Sequence, residues 1–253
     1  MALLEVRNLV KNYNGVRALK GISFDLEEGE ILGVIGPNGA GKTTLVNLVS
    51  GIDRPTSGEI IFKGEKVTGA PPYLMAQRGV ARTFQHIQIF PEMTVLENVK
   101  AGLHTKSRSG FWACLLHLPM VAREEERITR TALEIMELVG IADKKEWPAG
   151  ALPYGDRKKV VIARALVSQP QVLMLDEPAG GLNEQETEEM GELIERIKEM
   201  GITIMLIEHD MNLIMGICHR VLVLHHGERI ALGPPQQVQE DPQVIQAYLG
   251  EGF

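Results

Sequence analysis

The sequence predicts an α/β fold built on a mixed, mainly parallel sheet, with an antiparallel β piece at the N-terminus and an inserted helical segment. Three observations carry this. The apolar runs "EILGVI", "QVLMLDE" and "ITIMLIEHD" read as strands buried on both faces. The amphipathic stretch "ETEEMGELIERIKEMG" separates the last two, and strand–helix–strand order implies parallel neighbours joined by right-handed crossovers. Between the first run and the second, from about residue 90 to 165, the pattern turns helical.

The elements follow in order. "LLEV" and "ISFDL" read as short strands, and "GISFDLEEG" alternates apolar and polar residues as a half-exposed strand does. "GKTTLVNLVSG" reads as a helix closed by Gly51. "GEIIFKGEKV" is hairpin-like, with Gly64 at its turn. In "AREEERITRTALEIMELVG", Ile128, Ala132, Ile135, Met136 and Val139 share one helical face, acids crowd the first turn and Gly140 ends the helix. "RVLVLHHGERIALG" reads as a hairpin, followed by a Pro- and Gln-rich link and a final helix. Met190, Met200, Met205, Met211 and Met215 fit these patterns as core fillers. The expectation is a single domain over 1–253, with the hairpin and helix at about 219–253 as its C-terminal part.

Composition narrows the function classes. With 44% hydrophobic and 23% charged residues the chain reads as soluble and globular. A net charge of −7 argues against a broad nucleic-acid surface, which needs a basic face. Two cysteines, Cys114 and Cys218, make neither a disulfide framework nor a clustered metal site. No signal-peptide pattern and no stretch of about 18 apolar residues is found, so the expected location is cytoplasmic.

"GPNGAGKT", Gly36 to Thr43, fits G-x4-G-K-[ST] and lies between a buried strand and a helix. Gly36, Gly39 and Gly41, with Pro37, Asn38 and Ala40 between them, let backbone N–H groups wrap phosphates. Lys42 can reach the β- and γ-phosphates, Thr43 can ligate Mg²⁺, and the helix start through Thr44 adds its dipole. This is a P-loop nucleoside-triphosphate site. "VLMLDE" ends in Asp176, placed to hold Mg²⁺, and Glu177, which can polarise the attacking water. His209 ends the next buried strand, beside the γ-phosphate position. Gln85, in "ARTFQHIQIF", is a further polar candidate for metal or water.

Together these residues resemble the ATP-binding subunits of ABC transporters along nearly the whole chain. The order is Tyr13, Gly36–Thr43, Gln85, Leu152–Asp156, Asp176–Glu177, "GGLN" and His209. The resemblance implies that Tyr13 stacks on adenine, that Gln85 forms the Q-loop and that His209 is the switch histidine. It also implies a head-to-tail dimer, in which each ATP lies between one subunit's phosphate loop and the other's signature helix, where Gly155 supplies a backbone donor in trans. The implied partners are a second, identical or different ATPase subunit, two membrane permeases and, indirectly, a substrate-binding protein. Nucleic acid is not implied, and the implied location is the cytoplasmic face of the membrane. "RTFQHIQIFPEMTVLENV", "LPYGD", "LMLDEPAGGLN" and the ending "IQAYLGEGF" resemble the ATPases of high-affinity branched-chain amino-acid importers, specifically the first of their two ATPases. Alternatives are a lipid or lipopolysaccharide exporter and a soluble ABC protein acting on DNA or ribosomes. The single cassette and negative charge speak against the last.

Two departures stand out. The signature is Leu152-Pro153-Tyr154-Gly155-Asp156 where the family usually has Leu-Ser-Gly-Gly-Gln, and Leu182-Asn183 stands for Leu-Asp. In "LPYGDRKK", Asp156 reads as a helix N-cap, and Arg157, Lys158 and Lys159 place three cations in the first turn, against the macrodipole. A γ-phosphate on an opposite subunit would account for them, and so would plain solvated surface charge. "GFWACLLHLPMV", residues 110 to 121, reads as an apolar insert, packed on the protein or docking permeases.

Overall fold

Strands that are apolar at every position need cover on both faces, and three of them form the centre of the larger sheet. β3 (Ile31–Ile35), β7 (Val172–Asp176) and β8 (Thr203–Ile207) are buried at every residue. The computed structural model describes residues 2–106 and 119–249. The chain divides into two compact units. One comprises the residues up to Arg82 together with those from Gln171 onward, and the other runs Thr83–Pro170. Among the described residues no helix is long and apolar enough to cross a membrane.

The first unit contains both sheets. β1 (Ala2–Tyr13), β2 (Val16–Glu27), β4 (Ser57–Phe62) and β5 (Glu65–Lys66) form an antiparallel sheet in the order β2-β1-β4-β5. The first two strands are far longer than "LLEV" and "ISFDL". One face of an antiparallel strand tolerates polar residues, so apolar runs understate its length. Their turn is Asn14-Gly15, with φ 41° and 91°, the two-residue geometry that matches strand twist. The second sheet adds β6 (Val80–Arg82), β9 (Arg220–His225) and β10 (Glu228–Gly233) in the order β10-β9-β3-β8-β7-β6. All of its pairs are parallel except the β9–β10 hairpin. Leu4, Leu9, Leu19 and Phe62 of the first sheet share one core with Met174 and Met205 of the second and with Leu45 and Leu48 of α1 (Lys42–Val49). Met190 and Met205 fill the core, whereas Met200 and Met211 are exposed at helix ends, contrary to the expectation.

The unit's other helices are α2 (Pro72–Gln77), α6 (Glu184–Glu199), α7 (Met211–Ile217), α8 (Pro235–Glu240) and α9 (Pro242–Leu249). Asn183 starts α6 with a capping box. Its side chain accepts from the Glu186 N–H at 2.9 Å, and Glu186 accepts from the Asn183 N–H at 3.0 Å. The Asn at this position is therefore a competent helix start. Replacing it with alanine should cost about 1 kcal/mol. A calorimetric scan should show the midpoint fall by roughly 2–4 °C.

The second unit contains α3 (Val95–Lys100), α4 (Pro119–Leu138) and α5 (Tyr154–Leu166). Ala132, Ile135, Met136 and Val139 are buried, as their spacing predicts. α4 starts at Pro119, so the acidic run falls in its second turn and not its first. Asp156 is not the N-cap of α5. Pro153 holds that position, and Asp156 lies inside the helix, paired with Lys144 at 2.6 Å. Proline's fixed φ lets the helix begin without a side-chain cap. The basic triplet also reads differently in three dimensions, because successive helical residues point about 100° apart. Arg157 donates to the carbonyls of Leu152 and Gly150, both at 2.8 Å, and ties the signature loop to its helix. Lys158 is buried, its Nζ 5.4 Å from the Tyr154 ring centroid. Phe111, Trp112 and Leu115 of the apolar insert lie outside the described residues.

Candidate nucleotide site

Strand register brings the polar ends of the buried strands into one row. Val34 of β3 lies opposite Ile207 of β8, and Ile207 lies opposite Asp176 of β7. The residues that follow, Gly36, Glu208–His209 and Glu177, therefore emerge together at the carboxyl edge of the sheet, where α/β proteins bind their ligands.

The loop from Gly36 to Gly41 is built for close approach. A Cβ on Gly36 would collide with the Leu224 carbonyl, and one on Gly41, at φ 106°, would sit 2.7 Å from Leu19 Cδ2. Gly41 is the N-cap of α1 and brings no capping side chain, so the first-turn N–H groups form an anion-binding end. Lys42 is buried and bends back over the loop, its Nζ donating to the carbonyls of Gly36 and Pro37, the latter at 3.0 Å. Pro37, Asn38, Gly39 and Thr43 line the open side, while Ala40 packs inward. The β9–β10 turn supports the loop from behind, where the Gly227 N–H donates to the Ala40 carbonyl at 3.0 Å. Near the chain's end the Gly36 N–H donates to the Tyr248 oxygen, and burial pushes that phenol up to about 12.

Tyr13, at the end of β1, is fixed through its hydroxyl. It donates to Asp53 Oδ2 at 2.5 Å, and the Thr44 hydroxyl reaches the same phenol oxygen. Lys11 donates to Asp53 Oδ1 at 2.7 Å and stands 4.6 Å from the Tyr13 ring centroid. Burial and the neighbouring Asp53 raise the Tyr13 phenol above its ordinary value, while Lys11 and Tyr13 hold Asp53 below its own. The ring is nevertheless exposed, which suits a stacking platform.

The acidic edge is more tightly specified. Asp176 is buried and paired with Arg82 at 3.0 Å. Glu177 adopts a left-handed φ of 51°, with its N–H donating to the Ile207 carbonyl at 2.9 Å. That conformation costs on the order of 1–3 kcal/mol outside glycine, and it turns the side chain off the strand's alternation. Its carboxylate Oε1 shares a 2.9 Å hydrogen bond with His209 Nε2, and both side chains retain solvent access. Glu208 anchors the backbone of His209 and of Ala179, two residues beyond Glu177. Buried, it accepts from the Ala179 N–H at 2.6 Å and from the His209 N–H at 3.0 Å. Glu208→Ala should strand those N–H groups, cost about 1–3 kcal/mol for each that remains buried, and lower kcat more than it raises KM in a steady-state assay.

Gln85 and Gly155 belong to the second unit. Gln85 is exposed just beyond Thr83, and Gly155 is buried in the first turn of α5. Arg82, Asp53, Glu208 and Tyr248 escaped the sequence reading. Glu208 had a signal, an acid ending an otherwise apolar strand beside a histidine. The other three are single polar residues whose partners are distant in sequence.

Comparison with known proteins agrees with this geometry. The family model described as ABC transporter matches residues 19–180, and the one described as branched-chain amino acid ATP-binding cassette transporter matches 228–253. The high-affinity branched-chain amino acid transport ATP-binding protein LivG of Escherichia coli (strain K12) is 42% identical over 98% of both chains. The solved ADP conformation of an ATP-binding cassette of an ABC transporter superposes with a TM-score of 0.87 at 31% identity, covering 99% of each chain. A dimeric bacterial ABC transporter cassette superposes with a TM-score of 0.78 at 26% identity, covering 92% of this chain and 98% of that one. The chain belongs to the ABC transporter family, as one of its ATP-binding cassettes and an ATPase.

Proposed function

We propose that this cassette energises the import of branched-chain amino acids through membrane permeases. The observation that carries the substrate class is the C-terminal match at 228–253, together with full-length similarity to LivG. The amino acid itself never touches this subunit, so the assignment comes through the complex it joins.

In this reading the N–H groups of Gly36 to Thr44 and the Lys42 ammonium hold the phosphates, and Tyr13 stacks on adenine. The Thr43 hydroxyl and the Asp176 carboxylate are hard oxygen donors of the kind Mg²⁺ takes, so the residues fit that ion. When bound, Mg²⁺ would neutralise charge on the β- and γ-phosphates. Glu177 accepts a proton from the attacking water, and His209, hydrogen-bonded to Glu177 Oε1, orients that carboxylate and lies at the γ-phosphate end. Family resemblance supports Gln85 as a further metal and water contact, and Gly155 as a backbone donor to the nucleotide of a second subunit. It likewise supports an ATP-dependent dimer working at the cytoplasmic face of the membrane.

Purifying the native complex and identifying its membrane subunits tests the assignment. Branched-chain permeases and a periplasmic-type binding protein are expected; lipid-export permeases, or ribosomes and DNA, would overturn it.

A further inference from the structure

Arg82 is the last residue of β6, and its side chain is as enclosed as its partner's, 7% exposed against 6% for Asp176. Its Nη2 donates to Asp176 Oδ2 at 3.0 Å, and its Nη1 donates to Asn47 Oδ1 at 2.6 Å and to Ser50 Oγ at 3.3 Å. Asn47 lies on α1 and Ser50 is that helix's C-cap, with its hydroxyl donating back to the Val46 carbonyl at 2.7 Å. β6 itself pairs with β7, Arg82 lying opposite Met174. One planar guanidinium thus joins the strand that carries Asp176 to the helix that opens with Lys42 and Thr43.

A buried ion pair is weak evidence for stability, because desolvation offsets most of its attraction. Its directional fork is better suited to fixing geometry, since each N–H of the plane points along one line. We infer that Arg82 is a positioning residue for the metal centre. It sets the Asp176 carboxylate relative to Thr43, so that the two oxygen donors are spaced before Mg²⁺–nucleotide arrives. The inference rests on the proposal that Asp176 and Thr43 face Mg²⁺. Octahedral Mg²⁺ tolerates little error in ligand placement, so misplacing Asp176 should weaken the metal's contribution and leave phosphate binding intact.

The test is equilibrium binding of N-methylanthraniloyl-ATP, followed by fluorescence, with Mg²⁺ and again with EDTA, for the parent, R82K, R82M, D176N and R82M/D176N. The parent should bind more tightly with Mg²⁺. R82M should lose about tenfold of that increment while its EDTA affinity stays within about twofold. R82K keeps the charge but not the fork and should lose an intermediate share, and it carries the test if R82M does not fold. D176N should lose the increment too, and the double variant should lose no more than D176N, as expected of groups acting as a unit. An intact increment in R82M or R82K, with D176N impaired, overturns the inference alone. Equal weakening with and without Mg²⁺ also overturns it, since that is the signature of general loosening. An unchanged increment in D176N overturns the metal role of Asp176 itself.

Discussion

Glu177→Gln should leave ATP affinity nearly unchanged and slow hydrolysis by about 10²–10⁴-fold, the range assigned to a positioned general base. The physical reason is narrow. Glutamine is isosteric, keeps a carbonyl oxygen for the 2.9 Å contact with His209 Nε2, and loses the ability to take a proton. The left-handed backbone at Glu177 is a property of the chain turn and should survive the change. ATP that binds and is not cleaved should hold two subunits together. Gel filtration with ATP should therefore show a dimer for this variant and a monomer–dimer mixture for the parent. Unchanged turnover would remove Glu177 from the role of base.

Lys42→Ala should act one step earlier, on binding. The ammonium is buried in the loop it serves, held by the Gly36 and Pro37 carbonyls, and it brings a positive charge to the start of α1. Hydrogen bonds to a charged group contribute about 1.5–3 kcal/mol. Losing them should weaken ATP binding by roughly 10–100-fold, read by titration calorimetry. The contrast between the two variants matters more than either value, because one separates chemistry from binding and the other removes binding itself. ATP affinity equal to the parent's in Lys42→Ala would contradict the placement of the phosphates on this loop.

How much of this was legible in the sequence follows from which signals are local. The phosphate loop was readable because glycine spacing, lysine and flanking strand and helix are contiguous from Ile31 to Val49, and each answers one geometric need. The acidic edge was readable because buried parallel strands are apolar throughout, so Asp176, Glu177 and His209 stand out at their ends. The fold class followed from the same runs. β1 and β2 were underestimated because their solvated faces interrupt the apolar pattern. Arg82 and Asp53 could not be found this way. Each is a lone polar residue, and its meaning comes from partners such as Asp176 and Tyr13, 94 and 40 positions away.

Two of the three cations after the signature turn out to have partners within their own unit. Three cations at a helix start suggested an anion in front, yet helical rotation sends Arg157 back to its own loop and Lys158 into the unit. Arg157 and Lys158 are therefore accounted for without an anion in front of the helix. Asn183, which departs from the family's usual aspartate, completes a capping box as an aspartate there also could, so the cap does not explain the departure.

The central claim is that this cassette converts ATP hydrolysis into branched-chain amino-acid import, and reconstituted transport tests it most directly. The complete complex, placed in liposomes with ATP on the cassette side and a binding protein on the other, should accumulate labelled leucine, isoleucine and valine. Uptake should stop when Glu177→Gln replaces the parent subunit. Accumulation of these amino acids without ATP, or ATP-driven movement of a different solute with no response to them, would contradict the account.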